Sequence, residues 1–400
     1  MESQRLGDYI VCNPTVKLKK GQQCQLTDID SITIGQKYPI SKGLVIYDGQ
    51  SGSKFSKGDT IMARITPCLE NGKIAMYNGE EDSIGSTELF VFRGKEGVST
   101  NEFVYYFFKQ DWIRYYAANS MTGASGRQRA DIKFIQKAKV QFPPLATQQK
   151  ISSILSAYDT QIENNQKRIK LLEQMAENLY KEWFVRFRFP GYETAEFEGG
   201  VPKGWEYKPL GEIASFERGL SYSSEEIDCE DGLNLVNLKN IEAFGGYRRD
   251  GLKHYNGKYK TAQVVKKGDL VMGVTDMTQD RRTVGAVALI PEIQGTSVIS
   301  ADLVKIVSKQ PNLFLYCLCR FGNYSKFFSQ FANGANVLHL KPNTLLNKKV
   351  LMPTDHLIKM FVENVQASIE CIDNLYKQND FLTHQRDLLL PRLISGKLSI

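Results

Sequence analysis

The chain has 400 residues, of which 42% are hydrophobic and 11% aromatic, which is more apolar material than one ordinary domain needs. No apolar run approaches the roughly 20 residues that span a bilayer, and the first residues lack the basic-then-apolar pattern of an export signal. Seven scattered cysteines without a CxxC pair argue against a disulfide framework or a zinc site, while a net charge of +7 permits binding to a polyanion without requiring it. We therefore expect a cytoplasmic protein of two or more globular units.

One sequence pattern occurs twice along the chain. The first copy opens at Leu6-Gly7-Asp8 and the second at Leu210-Gly211-Glu212. In each copy a Lys-Gly-Asp turn opens a strand, and Gly58 of the first copy corresponds to Gly268 of the second, 210 residues later. Further pairs follow in the same order, namely strands 86–92 and 300–306, apolar segments 103–107 and 313–318, glycine-containing loops 121–128 and 332–339, and strands ending in proline at 139–144 and 349–354. This self-similarity predicts a duplicated lobe.

A long helix is predicted after each lobe. Apolar residues recur there in alternating steps of four and three, which is the seam of a heptad repeat. The predicted seam consists of Ile151, Leu155, Ile162, Ile169, Leu172 and Leu179 in the first helix, and of Phe361, Val365, Ile372, Leu375, Leu382 and Leu389 in the second. Thr147 and Thr354, which come shortly after prolines, are predicted to cap these helices.

The length of these helices indicates that they pair with each other. About 40 residues at ~1.5 Å each make a rod roughly 60 Å long, which projects beyond a lobe of about 150 residues. The seam of such a rod needs a long partner, most simply the other helix. Asn165 and Asn379 interrupt the two seams at different heights, and polar seam residues can fix register. The residues alone leave the orientation of the two helices open.

Two junctions and the order of elements carry a family resemblance. Val201-Pro202-Lys203-Gly204-Trp205 leads into Pro209-Leu210-Gly211-Glu212-Ile213 at the second lobe, and Phe142-Pro143-Pro144-Leu145-Ala146-Thr147-Gln148-Gln149-Lys150-Ile151 joins the first lobe to its helix. Together with the order lobe, helix, lobe, helix, these segments resemble the specificity subunits of type I restriction-modification systems. The first lobe departs from the pattern because it lacks a Pro-x-Gly-Trp segment, and the second junction reads Met-Pro-Thr-Asp instead of Phe-Pro-Pro-Leu.

The resemblance implies an α+β fold with two duplicated target recognition domains, residues 1–145 and 191–353. Each is followed by a helix, residues 146–190 and 354–400, and the two helices pair as an antiparallel coiled coil. In this family each recognition domain reads one half of a bipartite DNA site, while the helices set the spacing and dock two methyltransferase subunits. No cofactor or metal is expected in this chain. S-adenosylmethionine, ATP and Mg²⁺ are expected in the partner methyltransferase and restriction subunits.

Three short motifs resemble catalytic motifs but lack residues or neighbours that the chemistry requires. Phe142-Pro143-Pro144-Leu145 lacks the polar first residue and the stacking last residue of an amino-methyltransferase tetrapeptide. Residues 246–251 have the glycine spacing of a phosphate loop, but Leu252-Lys253 follows where Lys-Ser/Thr is needed. Glu206-Tyr207-Lys208 matches a nuclease triplet that is common by chance and has no suitably placed upstream acid. We predict no catalytic residue in this chain.

Residues that suit DNA contacts concentrate in one loop of each lobe. In the first lobe, small residues that permit close backbone approach adjoin side chains suited to phosphates and base edges. The second lobe has amides instead of guanidinium groups, so the two half-sites should differ. The predicted DNA-binding residues of these loops are Thr122, Gly123, Ser125, Arg127, Gln128 and Arg129 in the first lobe, and Asn333, Asn336 and His339 in the second. Further candidates, which come after equivalent strands, are Arg64 and Lys73 in the first lobe, and Thr275, Asp276, Arg281 and Arg282 in the second. The alternative is a plain glycine turn with solvated arginines and surface ion pairs.

Two other functions remain open at this stage. The chain could be the specificity part of a self-sufficient restriction-modification enzyme whose catalytic part lies elsewhere in a longer polypeptide. It could also be a duplicated scaffold that binds proteins, which would lack the steep loss of duplex affinity with salt that counterion release produces.

Overall fold

The computed structural model describes residues 3–123, 127–227 and 232–400. The chain forms two compact units, of which the first comprises Met1–Lys167 with Tyr376–Ile400 and the second comprises Arg168–Leu375. Both unit boundaries fall inside the long helices, so each unit contains one lobe and a part of both helices. In the part of the chain that the structure describes, no helix has the length and apolar character that crossing a membrane requires.

The first unit is built from short strands and helices followed by one long helix. Its helices are α1 (Leu6–Tyr9), α2 (Asn101–Lys109), α3 (Asp111–Ala118), α4 (Ile132–Gln136), residues 145–167 of α5 (Leu145–Tyr180) and residues 376–394 of α9 (Asp355–Ile394). Its strands are β1 (Gln4–Arg5), β2 (Ile10–Cys12), β3 (Gln23–Leu26), β4 (Leu44–Ile46), β5 (Ser53–Phe55), β6 (Thr60–Ala63), β7 (Ile74–Met76), β8 (Ser83–Gly85), β9 (Leu89–Gly94) and β10 (Lys139–Val140). Two four-stranded sheets result, in the orders β2-β9-β6-β7 and β4-β3-β8-β5, and β1 pairs with β10.

Helix α2 lies in the core of the first unit. Thr100 caps it, because the Thr100 hydroxyl accepts a hydrogen bond from the Phe103 amide at 3.2 Å. The six consecutive residues from Phe103 to Phe108 are all buried, as expected of a helix that is apolar on every side. Phe108 stacks on Phe92 of β9 with ring centroids 3.8 Å apart, which ties α2 to the first sheet.

The second unit repeats this architecture. Its helices are α6 (Leu210–Ile213), α7 (Asn312–Phe321), α8 (Tyr324–Ser329) and residues 355–375 of α9 (Asp355–Ile394), together with residues 168–180 of α5. Its strands are β11 (Phe197–Glu198), β12 (Val201–Pro202), β13 (Glu206–Pro209), β14 (Ala214–Arg218), β15 (Leu233–Val236), β16 (Lys253–Tyr255), β17 (Val264–Val265), β18 (Leu270–Gly273), β19 (Thr275–Asp276), β20 (Val287–Leu289), β21 (Ser297–Ile299), β22 (Leu303–Ser308), β23 (Leu338–His339) and β24 (Lys349–Met352).

The sheet orders confirm the predicted duplication. The second unit has sheets β14-β22-β18-β20 and β16-β15-β21-β17, which match the two sheets of the first unit strand for strand. Each unit also has one parallel pair at the same place, β3 with β8 and β15 with β21. In both units the strand just before the Leu-Gly segment pairs with the last strand of the lobe, β1 with β10 and β13 with β24.

The two long helices run antiparallel within the first unit. Asp159 of α5 pairs with Arg386 of α9, whereas Asn165, further along α5, pairs with Asn379, which comes earlier in α9. All twelve predicted seam residues are buried or partly buried in their own units. In the second unit the seam is aromatic, and the ring centroid of Phe361 lies 5.8 Å from that of Tyr180.

The prediction that Thr147 caps the first long helix is wrong. Helix α5 begins at Leu145, so Thr147 lies inside its first turn. The carbonyl of Pro144 accepts the amides of both Thr147 and Gln148, at 2.9 and 3.0 Å, and the helix therefore begins directly after the proline pair. Proline is favourable at the start of a helix because the first amides have no partner inside it.

Candidate nucleic-acid interface

Loop 1, residues 122–129, is closed by a pair of backbone hydrogen bonds. The amides of Thr122 and Arg129 each donate to the other residue's carbonyl, with N···O distances of 3.2 and 3.0 Å. Gly123 has a φ of +124°, a conformation that favours glycine, so a Cβ would be strained there. The predicted contact Ser125 lies outside the described residues. Arg127 is exposed, and the structure therefore presents a cation on the surface of this loop.

Loop 1 is anchored on the segment that follows β6. Arg129 forms a β-bridge with Ile65, and the Thr66 amide donates to the Gln128 carbonyl at 3.0 Å. In return, the Gln128 amide donates to the Thr66 hydroxyl at 3.1 Å. The Ala130 amide donates to the carbonyl of Arg64, which brings the predicted Arg64 beside the predicted loop.

Glu88 joins the two arginines at the base of loop 1. The Arg129 Nε lies 2.8 Å from the Glu88 Oε1, and the Arg64 Nε lies 4.0 Å from the Glu88 Oε2. The hydrogen bond from Arg129 lowers the pKa of Glu88, with a further contribution from the charge of Arg64. The Arg64 guanidinium also lies over the ring of Phe90, 5.1 Å from its centroid. This cluster of three charged groups carries a net charge of +1 beside the exposed Arg127.

Loop 2, residues 333–339, has the same construction in the second unit. Asn333 and His339 exchange backbone hydrogen bonds of 3.0 and 2.9 Å, and His339 pairs with Thr275. The offset of 210 residues relates Thr275 to Ile65 and His339 to Arg129, so each loop is anchored at the same point of its lobe. Asn333, Asn336 and His339 are all exposed. The structure thus presents amides and an imidazole where the first unit presents guanidinium groups.

Asp276 holds the segment beside loop 2 through hydrogen bonds of its side chain. Its buried carboxylate accepts hydrogen bonds from the Thr278 amide at 2.8 Å and from the Thr283 amide at 2.6 Å. Burial alone would raise the pKa of Asp276, but the hydrogen bonds from Thr283 and Thr278 outweigh it and hold that pKa below its ordinary value. Thr275 is also buried, and its hydroxyl donates to Asp302. These two predicted contacts therefore have interactions inside the lobe.

Other predicted cations are likewise engaged within their lobes. The Lys73 ammonium donates to the Ile29 carbonyl at 3.0 Å. The Arg281 guanidinium donates to the Ser329 carbonyl, and Arg281 itself has a φ of +54°. Arg282 is exposed and forms an ion pair with Asp280 at 2.6 Å. Arg281 and Arg282 line a hollow of about 300 Å³ together with Phe244, Arg320 and Lys326.

Comparisons with known proteins match either the first part of this chain or most of its length. The family model for the type I restriction modification DNA specificity domain matches residues 1–174. The type I restriction enzyme MjaIX specificity subunit of Methanocaldococcus jannaschii is 29% identical over 320 residues, covering 76% of this chain and 71% of that protein. The MjaVIII specificity subunit of the same organism is 23% identical over 422 residues, covering 100% of this chain and 93% of that protein.

Over most of its length the chain is similar to specificity subunits of type I restriction-modification systems. The crystal structure of the type I restriction-modification S subunit from M. genitalium is similar to this chain, with a TM-score of 0.55, 14% identity and coverage of 98% of this chain and 95% of that chain. That likeness shows a shared fold. The resemblance seen in the sequence is confirmed.

The structure also places beside loop 2 residues that the sequence did not single out. The Gln279 side chain donates to the Ala335 carbonyl at 2.8 Å and so ties the segment after β19 to loop 2. Met277 is 78% exposed on the same segment, and Phe244 is 63% exposed with a φ of +68°. A large exposed apolar side chain beside polar loops is a signal of a contact surface, but exposure is not visible in a sequence.

Proposed function

We propose that this chain reads a bipartite DNA site, one half through loop 1 and the neighbouring Arg64 and the other half through loop 2 and the neighbouring Gln279. The observation that carries the proposal is the matched anchoring of the two loops, because one scaffold holds different polar side chains at equivalent places. Guanidinium groups suit phosphates and guanine edges, whereas amides suit adenine edges. Two half-sites of different sequence follow from that difference.

The chain acts in this proposal as the recognition subunit of a larger complex and performs no catalysis itself. The methyltransferase subunits, two of them, dock on the long helices, and the restriction subunits join through them. S-adenosylmethionine, ATP and Mg²⁺ belong to those partners, and the complex works in the cytoplasm. The proposal is supported by the similarity to specificity subunits and by the paired helices within each unit.

Mapping of methylated adenines tests the proposal directly. A strain that expresses the chain with its methyltransferase partner should show methylation at one bipartite sequence, and deletion of the chain should abolish it. Inserting one heptad at the unit boundary of both α5 and α9 should change the gap between half-sites and leave their bases unchanged. An altered half-site at constant spacing, or methyl transfer by the purified chain alone, would contradict the proposal.

A salt titration separates DNA recognition from a protein-binding scaffold. Duplex affinity should fall linearly with the logarithm of salt concentration, with a slope of about −0.9 for each phosphate contact. A chain that shows no saturable duplex binding at low salt, alone or with its methyltransferase partner, would instead support the scaffold.

A further inference from the structure

A cavity of about 570 Å³ lies in the first unit, and no described residue of loop 1 lines it. Its wall is largely apolar and is formed by residues of the first sheet, α2, α3 and α9 and by the segments 34–36 and 69–72. The apolar lining residues buried in the core are Met62, Leu69, Ile74, Phe108 and Leu390. Trp112 and Ile34 are partly exposed and stand at its mouth, being 43% and 57% exposed. Cavities of this size commonly hold a small organic molecule.

Lys109, the last residue of α2, lines this cavity without a counter-ion. Its Nζ is buried and has no hydrogen-bond partner among the described residues, and the ring centroid of Tyr105 lies 5.9 Å away. Burial is the main cause that lowers the pKa of Lys109, to about 8, and the neighbouring charge of Arg386 lowers it further. A buried cation without a partner is unfavourable, so an incoming anion would gain a strong interaction here.

The other cations of the cavity already have partners. Arg386 is bonded to both Asp159 and Asp387, and Arg114 is bonded to Asp111. The three cations, Lys109 included, face three carboxylates, so Lys109 lacks a direct acceptor and not a balancing charge, and a single carboxylate would supply that acceptor. A phosphate dianion would exceed that need and would face Asp387 and Asp111, which also line the cavity.

We propose that this cavity binds a small organic monocarboxylate with an aromatic body, whose carboxylate pairs with the ammonium group of Lys109. The apolar wall would pack against the aromatic body of the ligand, and the unpaired ammonium would form an ion pair with its carboxylate. The proposal does not depend on DNA recognition, because neither loop contributes to the lining.

Isothermal titration calorimetry of the full chain with 2-naphthoate tests the proposal. The neutral 2-naphthamide and the dianionic 2-naphthyl phosphate serve as comparison probes. We expect 2-naphthoate to bind at least tenfold more tightly than either. Lys109→Met should weaken 2-naphthoate binding at least tenfold, about 1.4 kcal/mol, without weakening the binding of the amide. Lys133→Met, at an exposed position in α4, is the matched control and should bind as the parent does.

The pH dependence provides a readout that needs no variant. Lys109 faces charged groups from several elements, namely Arg386 and Asp387 of α9, Asp159 of α5, Asp111 and Arg114 of α3, and Lys37 of the segment between β3 and β4. Since the carboxylate needs the protonated ammonium, affinity should be full below the pKa of Lys109 and should fall as the pH rises beyond it. Near pH 8 binding should take up protons, seen as a dependence of the measured heat on the ionisation heat of the buffer.

Three outcomes would overturn the proposal. The first is equal binding of 2-naphthoate to the parent and to Lys109→Met, with circular dichroism showing both folded. The second is equal affinity for the carboxylate and the amide, and the third is no saturable binding of 2-naphthoate at millimolar concentration. If Lys109→Met does not fold, proton uptake by the parent near pH 8 decides the question, and its absence rejects the proposal.

Discussion

The two units share one strand order but differ in what their helix seams bury. In the first unit the seam contains the Arg386–Asp159 ion pair and the Asn165–Asn379 hydrogen bond of 2.9 Å. In the second unit the seam is aromatic where Tyr180, Trp183 and Phe184 surround Phe361. The long helices therefore contact each other in both units, with different chemistry.

This contrast shows which features of a duplicated fold are constrained. Positions 210 residues from Arg386 and Asp159 carry Ala176 and Ile369, so the polar pair is a property of one copy alone. Apolar seam positions recur because both helices must bury a stripe, whereas a buried polar pair specifies one register between two particular helices. The loops follow the same rule, with a common anchor and different side chains.

The largest effect is expected from breaking the buried ion pair. Asp159→Ala leaves the Arg386 guanidinium, which is 1% exposed, with Asp387 as its one remaining carboxylate partner among the described residues and removes the acceptor of the Tyr106 hydroxyl. The free energy of unfolding of the first unit should fall by about 3–5 kcal/mol in urea titration. The double variant Asp159→Leu with Arg386→Met should regain most of the loss, because an apolar pair needs no counter-charge. A double variant as unstable as Asp159→Ala would show that the ion pair itself is strongly stabilising.

A smaller loss of stability is expected from Asn165→Ala. Asn165 donates to Asn379 and to Gln378, at 2.9 and 3.1 Å, and its removal leaves buried polar groups unsatisfied. The expected cost is about 1–3 kcal/mol, measured by urea unfolding followed in the first unit. Leucine at both Asn165 and Asn379 should restore stability, since removing both partners together can be nearly neutral. A double variant less stable than Asn165→Ala would contradict this account.

Local periodicity made the seams and the duplication predictable, but not the polar contacts inside the first unit. Arg386 falls on the heptad seam, yet its partner Asp159 stands beside that seam, and Tyr106 comes from a helix of the lobe. Such a contact depends on how three distant segments fold together. Lys109 likewise follows a run of buried aromatic residues, and only the fold shows that its ammonium faces a cavity.

The loops illustrate the same limit for the candidate site. Their glycines and polar residues predict a contact surface, and the structure places Arg64 beside loop 1. Asp276 is a predicted DNA contact because it follows an equivalent strand, and in the structure its carboxylate accepts the amides of Thr278 and Thr283 and organises a turn. An Asp two residues before a Thr can form such a turn, and this was the signal that was missed. Which residues contact bases stays a prediction.

Substitutions in the two loops should affect different half-sites. Arg127→Ala in loop 1 and Asn336→Ala in loop 2 should each weaken specific binding by about 1–3 kcal/mol if the side chain contacts a base. Fluorescence anisotropy with duplexes altered in one half-site at a time measures this. Each variant should lose discrimination in one half only. If a single variant lost discrimination in both half-sites, the two loops would not recognise separate half-sites.

The smallest effect is expected from removing the carboxylate of Glu88, which binds Arg129 at the base of loop 1. Glu88→Gln removes the carboxylate that binds Arg129, with an Nη2–Oε1 distance of 2.7 Å, and raises the net charge beside the loop by one. The released guanidinium then becomes free to contact one more phosphate. The slope of log affinity against log salt should steepen by up to about 0.9 without a change in the preferred bases. Glu96→Gln, exposed on the same lobe, makes the same charge change away from the loop and should leave the slope unaltered. Equal slopes for Glu88→Gln and Glu96→Gln would show that Arg129 stays away from the duplex, and loop 1 would then rely on Arg127 for its charge.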